Sequence, residues 1–389
     1  VPKDNAPKWL ILFLIWLMML VAYMDRVNIS VAGPSIIADL HLTKTQFGIV
    51  LSSFSLGYAL MQIPGGWLAD RFGSRGLLIG ALLMWSLFTG LTGAASGLFI
   101  LIAIRILFGV GEGVENGAQF KLIGDAFTPT ERSRASGIFL TAVAIGPAFA
   151  TPLAAGLVKS IGWRTTFLCF ASLGIVVAAV LFFLLPNVAK PLSRPVVKDP
   201  NVGSVMRQGK TWRVVAAYLL FNVAFWGFIG WMPTYLREQR HISLSELGFV
   251  GMLPYLAGFL GLLAAGHLGT TRLAHRREAI VAFSYAAAAI FVFLVINAAS
   301  TATCIAFLSL AAFFLFGAFG PFWGVALDIP AAWARGTFSG FVNFGGQLGA
   351  IAGQIVIGLL ADRLKSFDGA LMLMSGSLVV GAVVMAVGA

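Results

Sequence analysis

Twelve times along this chain, a stretch of about 20 residues is predominantly apolar, the length a helix needs to cross the hydrocarbon of a bilayer. The runs fall at 9–33, 45–67, 76–96, 98–124, 134–157, 163–186, 212–236, 244–268, 279–299, 301–327, 336–361 and 369–388. This spacing predicts an all-α integral membrane protein of twelve transmembrane helices. Composition agrees. Charged residues are 11% of the chain, where a soluble domain carries about 25%. Glycine is abundant, at 45 residues, as expected where helices pack closely without water to drive them together. The first run is too long for a signal-peptide core and is followed by no small-residue cleavage site, so it is read as a helix that stays.

One segment breaks the rhythm. Residues 187–210 are polar, with Lys190, Arg194, Lys198, Arg207 and Lys210 among several prolines, and they divide the runs six and six. The expected organisation is a first bundle over 1–186, a cytoplasmic central loop over 187–210 and a second bundle over 211–389. The halves also echo each other. Ser136-Gly137 and Gly146 recur as Ser339-Gly340 and Gly349, and Leu107-Phe108-Gly109 recurs as Leu315-Phe316-Gly317. Two pseudo-symmetric six-helix bundles in parallel repeat would place a site between them near mid-membrane.

Orientation follows from the basic residues. With the N-terminus in the cytoplasm, seventeen Lys and Arg fall on cytoplasmic segments and seven on outer loops. Both termini are therefore expected inside, and the net charge of +11 reads as a topology signal rather than a nucleic-acid face. Cys169 and Cys304 both lie in apolar runs, which disfavours a disulfide framework; no metal-ligand spacing is present, and no cofactor is implied.

Five charged residues sit at membrane depth: Asp25 and Arg26 in the first run, and Arg105, Glu112 and Glu115 in the fourth. Each costs roughly 2.5–3.5 kcal/mol on insertion scales, so they mark function rather than fold maintenance. Counted from the ends of their runs, Asp25 and Arg105 lie at similar depth. Arg105 and Glu112 are seven residues apart, on one helical face, and Gln119 continues it. A buried carboxyl is pulled two ways: burial favours its neutral form, a neighbouring arginine its charged form. A group balanced between them can be switched by substrate or by water, which is what proton coupling needs. Glu115 can neighbour Glu112 as a second protonatable site, or pair with Lys121. The bland alternative is a static salt-bridge cluster tying the first and fourth helices.

The loop after the second run reads Gly65-Gly66-Trp67-Leu68-Ala69-Asp70-Arg71-Phe72-Gly73-Ser74-Arg75. Its glycines allow a tight turn, and Asp70 can pair with an arginine or meet a helix N-terminus. Gly66, Asp70, Arg71, Gly73 and Arg75 form a string that resembles the signature of the major facilitator superfamily. So does Arg105-Ile106-Leu107-Phe108-Gly109-Val110-Gly111-Glu112-Gly113. The resemblance covers essentially the whole chain. More narrowly, Tyr23-Met24-Asp25-Arg26-Val27-Asn28-Ile29-Ser30 and Gly57-Tyr58-Ala59-Leu60-Met61-Gln62-Ile63-Pro64-Gly65-Gly66-Trp67 are similar to the anion:cation symporter branch, which holds sugar-acid/proton symporters and the sialin-like and vesicular glutamate carriers. The resemblance implies Asp25 and Glu112 as proton carriers, Arg26 as ligand for a substrate carboxylate, Arg105 as partner of Glu112, and Tyr23 and Tyr58 lining the cavity. Sugar-acid carriers of the branch tend to have glutamine in mid-helix five; here Val143 stands there, which suits a less hydroxylated acid.

The second half has no counterpart of Asp25-Arg26, since Phe228 falls opposite Asp25. It offers Asn343 and Gln347, one helical turn apart, as a substrate-contacting face, and Trp323 and Trp226 as cavity walls. The resulting expectation is a monomeric symporter of a bacterial inner membrane that imports a small organic anion with protons. The rival on the same fold is a drug/proton antiporter, faintly suggested by Gly137, Gly146-Pro147 and Thr151-Pro152. No nucleotide-binding loop or paired metal ligand points to an enzyme.

Overall fold

The structure is a computed structural model that describes residues 8–128, 131–186, 205–270, 276–330 and 335–387, and every regular element among them is a helix. The first half contributes α1 (Lys8–Asp39), α2 (Lys44–Phe72), α3 (Ser74–Thr92), α4 (Leu98–Glu112), α5 (Glu115–Ala126), α6 (Arg132–Leu140) and α7 (Ala142–Leu184). The second contributes α8 (Gly209–Glu238), α9 (Leu244–Val250), α10 (Leu253–Thr270), α11 (Arg277–Ile296), α12 (Thr301–Gly317), α13 (Phe319–Asp328), α14 (Arg335–Leu364) and α15 (Asp368–Ala386). Lys190, Arg194 and Lys198 of the expected central loop lie outside the described residues.

Among the described residues, nine helical stretches are long and apolar enough to cross a membrane, against twelve apolar runs in the sequence. Two of the differences have physical causes. The runs 134–157 and 163–186 form one stretch, Arg134–Leu184, turned at Gly162, whose φ of 78° needs a residue without a Cβ. The run 98–124 breaks at Gly113–Val114 into α4 and α5, each shorter than a span. The run 45–67 lies within α2, a helix of 29 residues.

Large apolar side chains cover the outside: Phe99, Phe183 and Phe249 are all exposed, as expected where the surrounding medium is lipid. The enclosed helices are α1 and α8, with 72% and 83% of their apolar windows buried, and they pack on each other across the two halves. Close backbone contact sets α2 against α4. A Cβ on Gly57 would stand 2.0 Å from the Ile106 carbonyl oxygen, and one on Gly109 would stand 2.2 Å from that of Phe54. Any side chain there would push α4, and Glu112 with it, away from α2.

The halves are latched at the end predicted to face outward. The start of α2 leaves four backbone N–H groups without helical partners, and all four are accounted for. Lys44 N and Thr45 N donate to the Asp362 carboxylate at 3.1 and 2.7 Å, and Thr45 Oγ1 donates to it at 2.6 Å. Gln46 N donates to Thr43 Oγ1, and Thr43 N donates to Gln46 Oε1 at 2.8 Å. Thus the last turn of α14 caps the first turn of α2, with a carboxylate at the positive end of the helix dipole. Lys44 Nζ also pairs with Glu238 Oε2 at the end of α8, 3.0 Å away, and Lys159 of α7 donates to Ser245 Oγ of α9. Asp362→Ala strips two N–H groups of their acceptor at a cost of about 1–2 kcal/mol, equivalent to a factor of about 5–30 in a two-state ratio. The expected result is faster labelling by an impermeant maleimide of a cysteine placed at Leu51, which packs against Gly230 of α8. An unchanged labelling rate would mean that this contact does not hold the end closed.

Candidate functional site

The five charged residues found at membrane depth all lie in the interior, each with no more than 4% of its surface exposed. Asp25 and Arg26 come from α1, Arg105 and Glu112 from α4, and Glu115 is the first residue of α5. Arg26 is the hub. Its Nε donates to Glu112 Oε2 at 2.7 Å, and its Nη2 donates to Glu115 Oε1 at 3.2 Å. The break at Gly113–Val114 falls between these two acids, so the arginine bridges the two pieces of one apolar run.

The planar guanidinium is also boxed by rings. Its centre lies 4.3 Å from the Tyr23 ring, 5.1 Å from Tyr58, 5.4 Å from Phe54 and 5.8 Å from Trp226. Ring faces are attractive to a desolvated cation. Trp226 belongs to α8, so the second half closes the box, and the arginine stands at the seam between halves.

The sequence expectation paired Arg105 with Glu112, and the structure differs. Glu112 takes its hydrogen bond from Arg26, while Arg105 has no hydrogen bond or ion pair within 4 Å among the described residues. Its guanidinium lies over Phe108 at 4.5 Å and Phe54 at 5.2 Å, with Asp25 and Glu112 as the acids facing it. The seven-residue spacing does put Arg105 and Glu112 on one face, but stacked along the helix axis two turns apart. Arg26 reaches across from α1 and arrives closer. Both Asp25 oxygens, Glu112 Oε1 and Glu115 Oε2 have no hydrogen-bond donor in the described protein. With every group ionised, three carboxylates face two guanidiniums, and one added proton makes the cluster neutral.

Tyr23 and Tyr58, expected to line a substrate cavity, stand beside Arg26. Asn343 Nδ2 donates to Gln62 Oε1 at 3.1 Å, a bond between α14 and α2 that crosses the halves. Gln347 is buried, with its Oε1 unpartnered. Trp323 packs edge-on against Tyr218 at 5.4 Å and does not reach the arginine box. The turn motif closes between α2 and α3 with Gly73 at φ 84°. Arg71 lies over the exposed rings of Trp67 and Phe72, and Arg75 Nη2 donates to the Phe182 carbonyl. Gly66 and the side chain of Asp70 lie outside what the structure describes. Sequence reasoning assigned no role to Phe54 or Gln62. Gln62 was visible as a lone amide in an apolar run, whereas nothing distinguished Phe54 among 33 phenylalanines.

Comparison with known proteins agrees with this architecture. Residues 15–354 match the model of the Major Facilitator Superfamily. The chain is 29% identical over 392 residues to the hexuronate transporter of Bacillus subtilis, covering 96% of this chain and 92% of that one. It is 32% identical over 401 residues to a probable sulfoacetate transporter of Cupriavidus necator, with the same coverage of 96% and 92%. It is 29% identical over 411 residues to the D-galactonate transporter of Escherichia coli O6:H1, covering 98% and 95%. The fold matches the crystal structure of a bacterial homologue of the human lysosomal transporter Spinster, inward-facing and unoccupied, with a TM-score of 0.75 at 19% identity, over 100% of this chain and 96% of that one. The chain is an all-α, multi-pass membrane protein and belongs to the Major Facilitator Superfamily.

Proposed function

We propose that this chain imports a small organic carboxylate together with protons, by alternating access between two six-helix bundles of a plasma membrane protein with cytoplasmic termini. The observation that carries the reading is the buried cluster of three acids and two arginines, one proton short of neutrality, with its central arginine boxed by rings from both halves. A substrate carboxylate that took the Arg26 fork would compete directly with Glu112 and Glu115. Displaced from the arginine in a dry site, a carboxylate is stabilised by taking up a proton. Substrate and proton would then enter together, and each would favour the other's binding.

The relatives named above are a hexuronate transporter, a D-galactonate transporter and a probable sulfoacetate transporter, which supports an organic anion as the cargo. Gln62, Asn343 and Gln347 supply amides along the seam for the rest of the ligand, and Val143 at the expected glutamine position favours an acid with few hydroxyls. Asp25 and Glu112 are the assigned proton carriers, with Glu115 beside them. Arg105 is assigned to hold the core of the cluster electrostatically.

The test is flux direction in proteoliposomes. Uptake of an organic acid is expected to rise as external pH falls from about 8 to about 6, a range above the unperturbed carboxyl values. Low external pH supplies the proton that the loaded form needs; the advantage fades as pH rises and that proton is lost. Asp25→Asn, fixed in a neutral form, is expected to flatten the profile. Outward movement of a cationic dye under the same gradient, with no acid uptake, would make the protein an exporter and sink this reading.

A further inference from the structure

The helices α2 and α14 run antiparallel across the seam, joined at one end by Thr45 and Asp362 and toward the other by Gln62 and Asn343. Close backbone contact fixes their register. A Cβ on Gly48 would stand 2.5 Å from the Gln354 carbonyl oxygen, and one on Gly358 would stand 2.4 Å from that of Lys44. On α2, Ser55 lies two turns from Gly48 and two turns from Gln62, both of which face α14. On α14, Gln347 lies one turn from Asn343 and three turns from Gly358, both of which face α2. Gly48 is opposite Gln354. Seven residues along each helix, in opposite directions, bring Ser55 opposite Gln347 at one level of the seam.

Two polar side chains thus face each other in the interior and do not bond. Both are buried, and Ser55 Oγ and Gln347 Oε1 have no hydrogen-bond partner in the described protein. A serine in a helix can return its hydroxyl to a carbonyl one turn back. Ser52 and Ser53 do so, donating to the Ile49 carbonyl at 2.8 and 2.6 Å, and Ser55 does not. Gln62 Nε2, on the same face of α2, also lacks an acceptor. Buried polar atoms are rarely left in this condition. On either side of this level the helices are joined, by the Gly48–Gln354 contact and by the Asn343–Gln62 bond. The level is also that of the arginine box. Ser55 shares a turn of α2 with Phe54 and Tyr58, whose rings lie 5.4 and 5.1 Å from the Arg26 guanidinium.

We propose that Ser55 and Gln347 form a subsite for a hydroxyl group of the transported anion, so that Ser55 helps to decide which carboxylates the protein accepts. The proposal rests on the reading of Arg26 as the ligand of the substrate carboxylate. A hydroxyl both donates and accepts, as do the serine hydroxyl and the glutamine amide that flank this gap. A second ionised carboxylate would only accept and would leave Gln347 Oε1 without a donor. The subsite draws one residue from each half, so a ligand seated there bridges α2 and α14 while its carboxylate meets Arg26 on α1. A single place for a hydroxyl also accords with Val143, which removes the amide expected on the fifth span.

The experiment measures, by calorimetry on purified protein, the binding of acids paired to differ by one hydroxyl: lactate and propanoate, 4-hydroxybutanoate and butanoate, 4-hydroxybenzoate and benzoate. Wild-type protein is expected to favour the hydroxylated member of at least one pair by about tenfold, the worth of one hydrogen-bonded group. Ser55→Ala, which removes only Oγ, is expected to bring that preference to about one by weakening the hydroxylated acid alone. Gln347→Leu should lose the same preference, and the double variant should lose no more than either single one. Melting temperatures of the substrate-free variants report that the seam is intact. A preference kept in Ser55→Ala overturns the proposal. So does an equal loss for both members of the pair, which would assign Ser55 to packing. Acids that bind wild-type protein with no preference for the hydroxyl overturn the subsite and leave carboxylate transport standing. If no acid of any pair binds, the carboxylate reading fails and the subsite falls with it.

Discussion

Glu112→Gln is expected to abolish gradient-driven accumulation of substrate while leaving exchange between two equal pools intact. The amide keeps the shape of the side chain and can still accept from Arg26 Nε, so the geometry of the box survives. What disappears is the capacity to gain and lose a proton. Each coupled proton is worth about tenfold in accumulation per unit of pH difference. The variant should therefore bring the inside concentration only level with the outside, if Glu112 is the coupling acid. Accumulation at the wild-type level by Glu112→Gln would remove Glu112 from the coupling path and leave Asp25 or Glu115 to carry it.

The second large effect is expected at Arg26. Arg26→Ala strands two buried carboxylates, and removing one partner of such a pair costs about 3–5 kcal/mol. That variant should lose both binding and thermal stability, so its failure alone would be ambiguous. Arg26→Lys separates the two. It keeps the charge and replaces a planar fork by a single ammonium, which cannot donate in two directions with the same geometry. Binding should weaken at least tenfold, with the melting temperature near wild type. The triple variant Arg26→Met, Glu112→Gln, Glu115→Gln removes the charges together and should recover stability without recovering binding. Wild-type affinity for an organic acid in Arg26→Lys would show that the guanidinium does not hold the carboxylate.

Much of this site was legible before any coordinates. Apolar runs set helix positions because the bilayer fixes one length for all of them, and five charges in those runs stood out against that background. Depth was legible too, since it depends only on counting from a helix end. What counting cannot give is rotation between helices. Arg105 and Arg26 both lie at the depth of the acids, and only the angle at which α1 meets α4 decides that Arg26 takes Glu112. Breaks were hidden for a different reason. Gly113 follows a run rich in glycine, and nothing local separates a glycine that bends a helix from one that lets helices touch. The Asp362 contact joins residues more than 300 positions apart, and Asp362 reads locally as one more charge at a helix end.

That contact has an asymmetry in how it is encoded. Its acceptor is a side chain, and two of its three donors are backbone amides that every residue except proline possesses. Position 44 is therefore nearly free to vary without loss of the bond, while position 362 is confined to residues that can accept twice. Genetic variation should reach this closure almost entirely from one side. A drifting second half can tune how readily the carrier opens, while on the α2 end only the Thr45 hydroxyl and the Lys44 ammonium give selection a side chain to act on.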